Sequence, residues 1–207
     1  MSSKNSRWFF YLIMIGIVGV LSVLTMKLLN EGSHSADTDT RHAAILKPPK
    51  SLSPFMLTDQ SGNAFTKANL EGKWTYLFSG FTNCPDICPP TMTAFKFASQ
   101  ELEQLGITGT QFLLLTVDPE RDTSEVLNEF LSHFDSRFVG LTGSIEAIND
   151  LMRQLGLFHM HDHENHQVKH AGSVLLISPK AEIYAVLTAP IEVKHLVQTL
   201  VKINSAK

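Results

Sequence analysis

Hydrophobic positions along this chain fall into three regimes. From Trp8 to Met26 they form an unbroken run, WFFYLIMIGIVGVLSVLTM, with no formal charge, closed by Lys27. From Asn30 to Ala44 (NEGSHSADTDTRHAA) they almost vanish, leaving a small, polar stretch without period. Beyond Leu46, behind Pro48 and Pro49, short apolar runs alternate with segments of helical spacing. A run like the first makes a helix that just spans a hydrocarbon core of about 30 Å. The polar stretch reads as a flexible tether. The expected organisation is therefore a tail over 1–7, a transmembrane anchor over 8–29, a flexible linker over 30–45 and one folded domain over 46–207.

Inside the domain the pattern predicts its own elements. Phe55–Leu57 and Ala64–Thr66 flank a turn at Ser61-Gly62-Asn63 and read as a hairpin. Trp74–Ser79 is a short apolar strand; Cys88–Leu105 has helical spacing through Met92, Phe95, Leu102 and Leu105, and Gly106 stops it. Gln111–Val117 (QFLLLTV) is a buried strand. Asp122–Phe134 is a helix whose Asp122-x-x-Glu125 start resembles a capping box with Asp122 as cap. Phe138–Leu141 is a brief strand and Ile145–Leu155 a helix begun by Ser144. After a His-rich loop, Ser173–Ile177 and Ile183–Leu187 make a hairpin, and a helix covers Val193–Ile203. This is an α/β order with a mixed sheet flanked by helices. Strand, helix, strand, helix, closing hairpin and helix is the thioredoxin-like order, with an extra N-terminal hairpin.

Charge sets the orientation of the apolar run. Lys4 and Arg7 precede it, so the positive-inside rule keeps the N-terminus cytoplasmic and exports the domain. Trp8 and Tyr11 sit at one end, where amphipathic rings favour the headgroup region. A signal peptide is the competing reading, but its apolar core is usually about 7–15 residues, and no clear A-x-A site follows this run. Without an Arg- and Ser-rich presequence, the expected location is a bacterial inner membrane, single-pass, with the C-terminal domain in the periplasm. The formal net charge of -3 gives no basic footprint for nucleic acid.

The chemistry lies in the cysteines and histidines. The chain has only two cysteines, Cys84 and Cys88, too few for a disulfide framework. They follow the WTYLFSG strand through Phe81-Thr82-Asn83 and lead into a helix. A helix N-terminus, with its unpaired N–H groups and dipole, favours the thiolate form. Spacing i, i+4 within one helical turn puts both sulfurs on one face, where they either close a disulfide or converge on one soft metal ion. Two buried cysteines acting as small hydrophobes are the plainer alternative; the flanking prolines and the expected export speak against it.

Disulfide oxidoreductases of this fold use C-x-x-C and a cis-proline facing the pair. Here the spacing is C-x-x-x-C, and the corresponding loop, Gln167 to Ser173, has no proline but offers His170 just before a strand. Two thiolates and one imidazole suit copper in either oxidation state, Cu(I) or Cu(II), whereas a closed zinc site wants a fourth ligand. Most of the nine histidines crowd between His159 and His170. His159, His161, His163 and His166 read as a solvated loop, with an auxiliary metal-capture site as the second reading. Asp118, Arg121 and Asp122 share a loop; Pro119 shapes its turn, Asp122 caps the next helix and Arg121 pairs locally.

Four segments in order resemble the Sco/SenC family of copper-binding assembly factors for cytochrome c oxidase. They are Gly80-Phe81-Thr82-Asn83-Cys84-Pro85-Asp86-Ile87-Cys88-Pro89, Thr116-Val117-Asp118-Pro119-Glu120-Arg121-Asp122-Thr123, Gly140-Leu141-Thr142-Gly143 and Lys169-His170. The resemblance covers roughly residues 46–205. It implies a thioredoxin-like fold, an anchor, and copper held by Cys84, Cys88 and His170. It also implies a copper donor upstream and cytochrome c oxidase subunit II, with its dinuclear copper centre, as recipient. On this reading the chain is a metallochaperone, not an enzyme. The alternative is a thiol–disulfide oxidoreductase in which Cys84 and Cys88 form the redox pair and its disulfide. Lys169 stands where the family usually has an acidic residue, and the HMHDHENH run is not a general family feature.

Overall fold

The computed structural model describes residues 42–157 and 172–205, the backbone of 159–162 and 167–170, and scattered residues between 14 and 25. The chain divides into two compact units, Met1–Asp39 and Thr40–Lys207. In the first, the described residues Met14, Gly16, Ile17, Gly19, Leu21, Ser22 and Thr25 are helical. Among the described residues no helix is long and apolar enough to cross a membrane. The span expected over 8–29 lies largely outside them.

The second unit is built on an eight-stranded sheet. Its strands are β1 (Ala43–Ser51), β2 (Met56–Asp59), β3 (Ala64–Thr66), β4 (Trp74–Gly80), β5 (Thr110–Thr116), β6 (Val139–Thr142), β9 (Val174–Ile177) and β10 (Glu182–Leu187). Strands β7 (His159–Asp162) and β8 (Gln167–His170) pair separately as a two-stranded hairpin. The order across the large sheet is β1-β10-β9-β4-β5-β6-β2-β3. β4, β5 and β6 run parallel; the other pairings are antiparallel. A parallel pair needs a crossover, and the crossovers here are α1 (Cys88–Gln104) and α2 (Ser124–Ser132). Helices α3 (Ile145–Leu155) and α4 (Val193–Ser205) complete the unit.

The central strands are apolar without alternation because both of their faces are covered. All of β4 after Trp74 is buried, as is β5 from Phe112 onward. Tyr76, Phe95, Phe112 and Phe138 pack as an aromatic cluster, with Phe112 5.1 Å from Phe95 and 5.4 Å from Tyr76 and from Phe138 between centroids. Phe95 belongs to a stripe on α1 (Cys88, Met92, Phe95, Ser99 and Leu102), every member of it buried. Helical periodicity therefore carries Cys88 into the core as the first residue of that stripe.

Four sequence expectations need amendment. The N-terminal hairpin is present as β2–β3, but a further strand, β1, begins at Ala43 and pairs with β10. The prolines in ILKPPKS hid it, since proline is tolerated at sheet edges and β1 is an edge strand. The His-rich stretch includes strands rather than loop alone, with His159 in register with His170; residues 163–166 lie outside the described set. Leu105 is not on the buried face of α1 but is its half-exposed cap. Asp122 does not cap α2: Thr123 does, its side chain accepting from the Val126 N–H.

Candidate metal centre

The cysteine loop leaves β4 at Gly80 and enters α1 at Cys88. The Cys84 N–H donates to the Phe81 carbonyl at 3.2 Å, closing a turn that brings Cys84 back toward the strand end. Cys84 is 7% and Cys88 0% exposed. Their side chains are hydrogen-bonded to each other, and a backbone hydrogen bond links Cys88 to Phe81. No disulfide joins them. The shared helical turn expected of the pair is absent: only Cys88 is helical, and the turn from Phe81 to Cys84, not helical spacing, carries Cys84 back toward Cys88.

The expectation of an easily ionised cysteine meets a correction. Burial pushes the Cys88 thiol far above its ordinary value, and the Cys84 side chain and the Asp122 charge push the same way. The helix start cannot offset this. Pro89 and Pro90 have no N–H to offer, and the Thr91 N–H is taken by the Ile87 carbonyl at 3.2 Å. Desolvation of the charged form wins over a weakened helix terminus.

Gly80 gives the sulfur its room. A Cβ there would stand 2.8 Å from Cys88 Sγ, 2.9 Å from Phe78 Cε1 and 3.2 Å from Leu114 Cδ1. The sulfur occupies the space of the missing side chain, so it can lie directly against the strand. A cradle of two adjacent sulfurs is a donor set that soft metals prefer. Among the described residues no group of three or more His, Cys, Asp and Glu side chains converges on one point.

His170 ends β8, and its side chain lies outside the described set. Two residues on, Gly172 packs against the cysteine loop. A Cβ at Gly172 would meet Ile87 Cδ1 at 3.3 Å and Ala189 Cβ at 3.5 Å. Ile87 stands between Cys84 and Cys88, so the segment leaving β8 abuts the loop that carries both sulfurs. Of the remaining histidines, His42 and His195 stack on each other, centroids 4.2 Å apart and planes inclined by 14°.

Sequence reasoning missed the polar support of the loop. Asp122 is 1% exposed, and its carboxylate accepts from the Thr82 N–H at 3.0 Å, the Thr82 hydroxyl at 2.5 Å and the Thr116 hydroxyl at 2.6 Å. Its own carbonyl accepts from the Thr142 hydroxyl at 3.1 Å. The local pairing expected of Arg121 is present, with Asp118. A threonine two residues before Cys84 and an aspartate beyond the next strand were the available signals. Neither reveals its partner without the fold.

The chain is similar to known proteins over most of its second unit. The SCO1/SenC family model matches residues 44–205. A Stutzerimonas stutzeri protein named "Putative copper-binding protein" is 32% identical over 168 residues, covering 80% of this chain and 82% of that one. "Protein SCO1 homolog 1, mitochondrial" of Arabidopsis thaliana is 35% identical over 130 residues, 61% of this chain but only 39% of the relative. This chain therefore matches well under half of that relative's length. The crystal structure of Arabidopsis thaliana ScoI with copper bound superposes with a TM-score of 0.71 at 32% identity, covering 75% of this chain and 98% of that one. The matched span runs from β1 into α4 and holds the cysteine loop, the Asp122 loop and the β8–β9 connection. The chain belongs to the SCO1/SenC family.

Proposed function

We propose that this protein is a membrane-anchored copper chaperone. One copper ion, its cargo, is held by the sulfurs of Cys84 and Cys88 with the imidazole of His170. It is passed by ligand exchange to the dinuclear copper centre of cytochrome c oxidase subunit II. The observation that carries the reading is a pair of buried cysteines at the start of α1, with Cys88 Sγ lodged against Gly80. The packing of Gly172 on Ile87 supports His170 as the third donor, because it ties the β8–β9 connection to the loop between the cysteines. The copper named for the Stutzerimonas and Arabidopsis relatives supports the choice of metal. The uncharged run over 8–26 and the lysine and arginine before it support an inner-membrane anchor with a periplasmic domain.

Copper titration of the reduced protein tests the reading. The parent takes up one equivalent, the Cys84→Ser/Cys88→Ser variant none, and His170→Ala binds more weakly. Unchanged binding in the double serine variant defeats the copper site, and unchanged binding in His170→Ala removes the third ligand. A periplasm-dependent reporter fused after residue 45 tests the anchor; a silent reporter overturns the topology.

The hydrogen bond between the two thiols favours a second reading, a thiol–disulfide oxidoreductase. Cys84 thiolate would attack a disulfide of the recipient, releasing one thiol and forming a mixed disulfide. Cys88 would then displace the second thiol, leaving a Cys84–Cys88 disulfide and a reduced recipient. A reductase assay separates the readings. Activity that survives His170→Ala but not Cys88→Ser favours exchange; loss in both favours copper.

A further inference from the structure

Asp122 is a buried carboxylate whose three closest donors all belong to the walls of the cysteine loop. Thr82 supplies two of them, and it lies two residues before Cys84. Thr116 supplies the third, and in the sheet register it faces Gly80, the residue against which Cys88 Sγ rests. The Val117 N–H donates to the Gly80 carbonyl at 2.9 Å, continuing the seam between the two strand ends. One carboxylate thus joins the loop that leaves β4, two residues before Cys84, to the end of β5.

A carboxylate taken out of water costs several kcal/mol unless its lone pairs are filled. A solvent-facing cap on α2 would have avoided that cost, and Thr123 performs the capping instead. The burial of Asp122 therefore has a role outside the helix it precedes. Its bonds run to a backbone N–H as well as to hydroxyls, so they restrain the path of the main chain into Cys84.

We propose that Asp122 is the positioning residue of the cysteine pair. By holding Thr82 and Thr116 it keeps Cys84 at the distance from Cys88 that both disulfide closure and copper retention require. The inference deepens the copper reading given above, but its primary test needs no metal. Reduction by dithiothreitol is balanced as Cys84–Cys88 disulfide plus dithiol giving two protein thiols plus oxidised dithiothreitol. The equilibrium constant reports how well the fold holds the sulfurs together, because a looser loop lowers their effective concentration.

The experiment uses the full-length chain in detergent, with copper removed, and then repeats the comparison with Cu(I). Asp122→Asn should make the disulfide roughly tenfold easier to reduce and weaken Cu(I) binding by a similar factor, the range seen when support behind a metal ligand is lost. Thr82→Val keeps the Asp122 charge but loses a hydroxyl donor, and should shift both quantities the same way by a smaller factor. Leu127→Ala, a core truncation under α2, should lower thermal stability and leave both equilibria within twofold of the parent. The assignment is overturned if Asp122→Asn stays within twofold of the parent, or if Leu127→Ala shifts the equilibria as much. It is also overturned if Asp122→Asn acts but Thr82→Val does not, since charge alone would then be the cause. Should Asp122→Asn fail to fold, Thr82→Val and Thr116→Val decide by the same criterion. If the parent binds no copper yet the dithiothreitol shifts appear, the copper reading falls and the positioning role stands.

Discussion

Cys88 Sγ occupies the volume that a side chain at Gly80 would need: a Cβ there would stand 2.8 Å from the sulfur. The two residues belong to different elements, the end of β4 and the start of α1, so the contact sets how closely the cysteine pair approaches the sheet. Phe78 and Leu114 close the same space at 2.9 and 3.2 Å, leaving a methyl group nowhere to go.

Gly80→Ala should therefore displace Cys88 and its helix end. The expected cost is about 1–3 kcal/mol of stability, the usual range for overpacking a filled site, together with a loss of copper retention. Denaturant midpoints and a Cu(I) competition titration measure the two effects. A variant as stable and as copper-retentive as the parent would show that the contact carries no constraint.

Gly172 tests the other side of the site. Gly172→Val adds bulk where Ile87 and Ala189 already lie 3.3 and 3.5 Å from a modest Cβ. The β8–β9 connection should then move off the cysteine loop, weakening copper binding on the order of tenfold. The disulfide equilibrium with dithiothreitol should stay within twofold, because the Asp122 contacts are untouched. If copper binding is unchanged, the proximity of this connection plays no part in holding the ion.

Arg137 ties α1 to the approach of β6, and this link is pH-dependent. It donates to Asp135 from Nε at 2.9 Å and from the second guanidinium nitrogen at 2.6 Å, and pairs with Glu103 on α1. These bonds hold the Asp135 carboxyl below the usual carboxylate range. A depressed carboxyl contributes stability above its unfolded value, about pH 3.9, and loses it as pH falls through the lower folded value. Asp135→Asn should cost about 1 kcal/mol at pH 7. The gap from the parent should stay constant down to roughly pH 5 and close below pH 4. Urea midpoints from pH 3 to 7 check this; a gap as wide at pH 3 as at pH 7 would falsify the assignment.

Most elements of the domain were legible because their cause is local. Apolar runs in β4 and β5, the 3.6-residue spacing in α1 and the Ser144 cap of α3 are patterns that neighbouring residues alone reveal. The cysteine spacing was legible only as a close pair at a helix start, because Cys84 lies outside the helix and its approach to Cys88 depends on the turn from Phe81. Strand β1 escaped because its prolines obscure local propensity and its pairing with β10 spans most of the domain.

Tertiary structure decided the state and surroundings of those sulfurs. From sequence, a cysteine at a helix start reads as acidic; burial on the α1 stripe makes the Cys88 thiol hard to ionise instead. Asp122 has the residue type and position of a helix cap, yet threonines from two strand ends outcompete its own helix for the carboxylate. A cap is chosen over three or four residues, whereas those donors come from segments up to 40 positions away. The sequence by itself determined that two cysteines stand close together in the chain where a strand gives way to a helix. Only the fold determined how deeply they are buried, what holds their loop, and that Gly172, two residues after His170, packs on Ile87 between them, because each depends on contacts between distant segments.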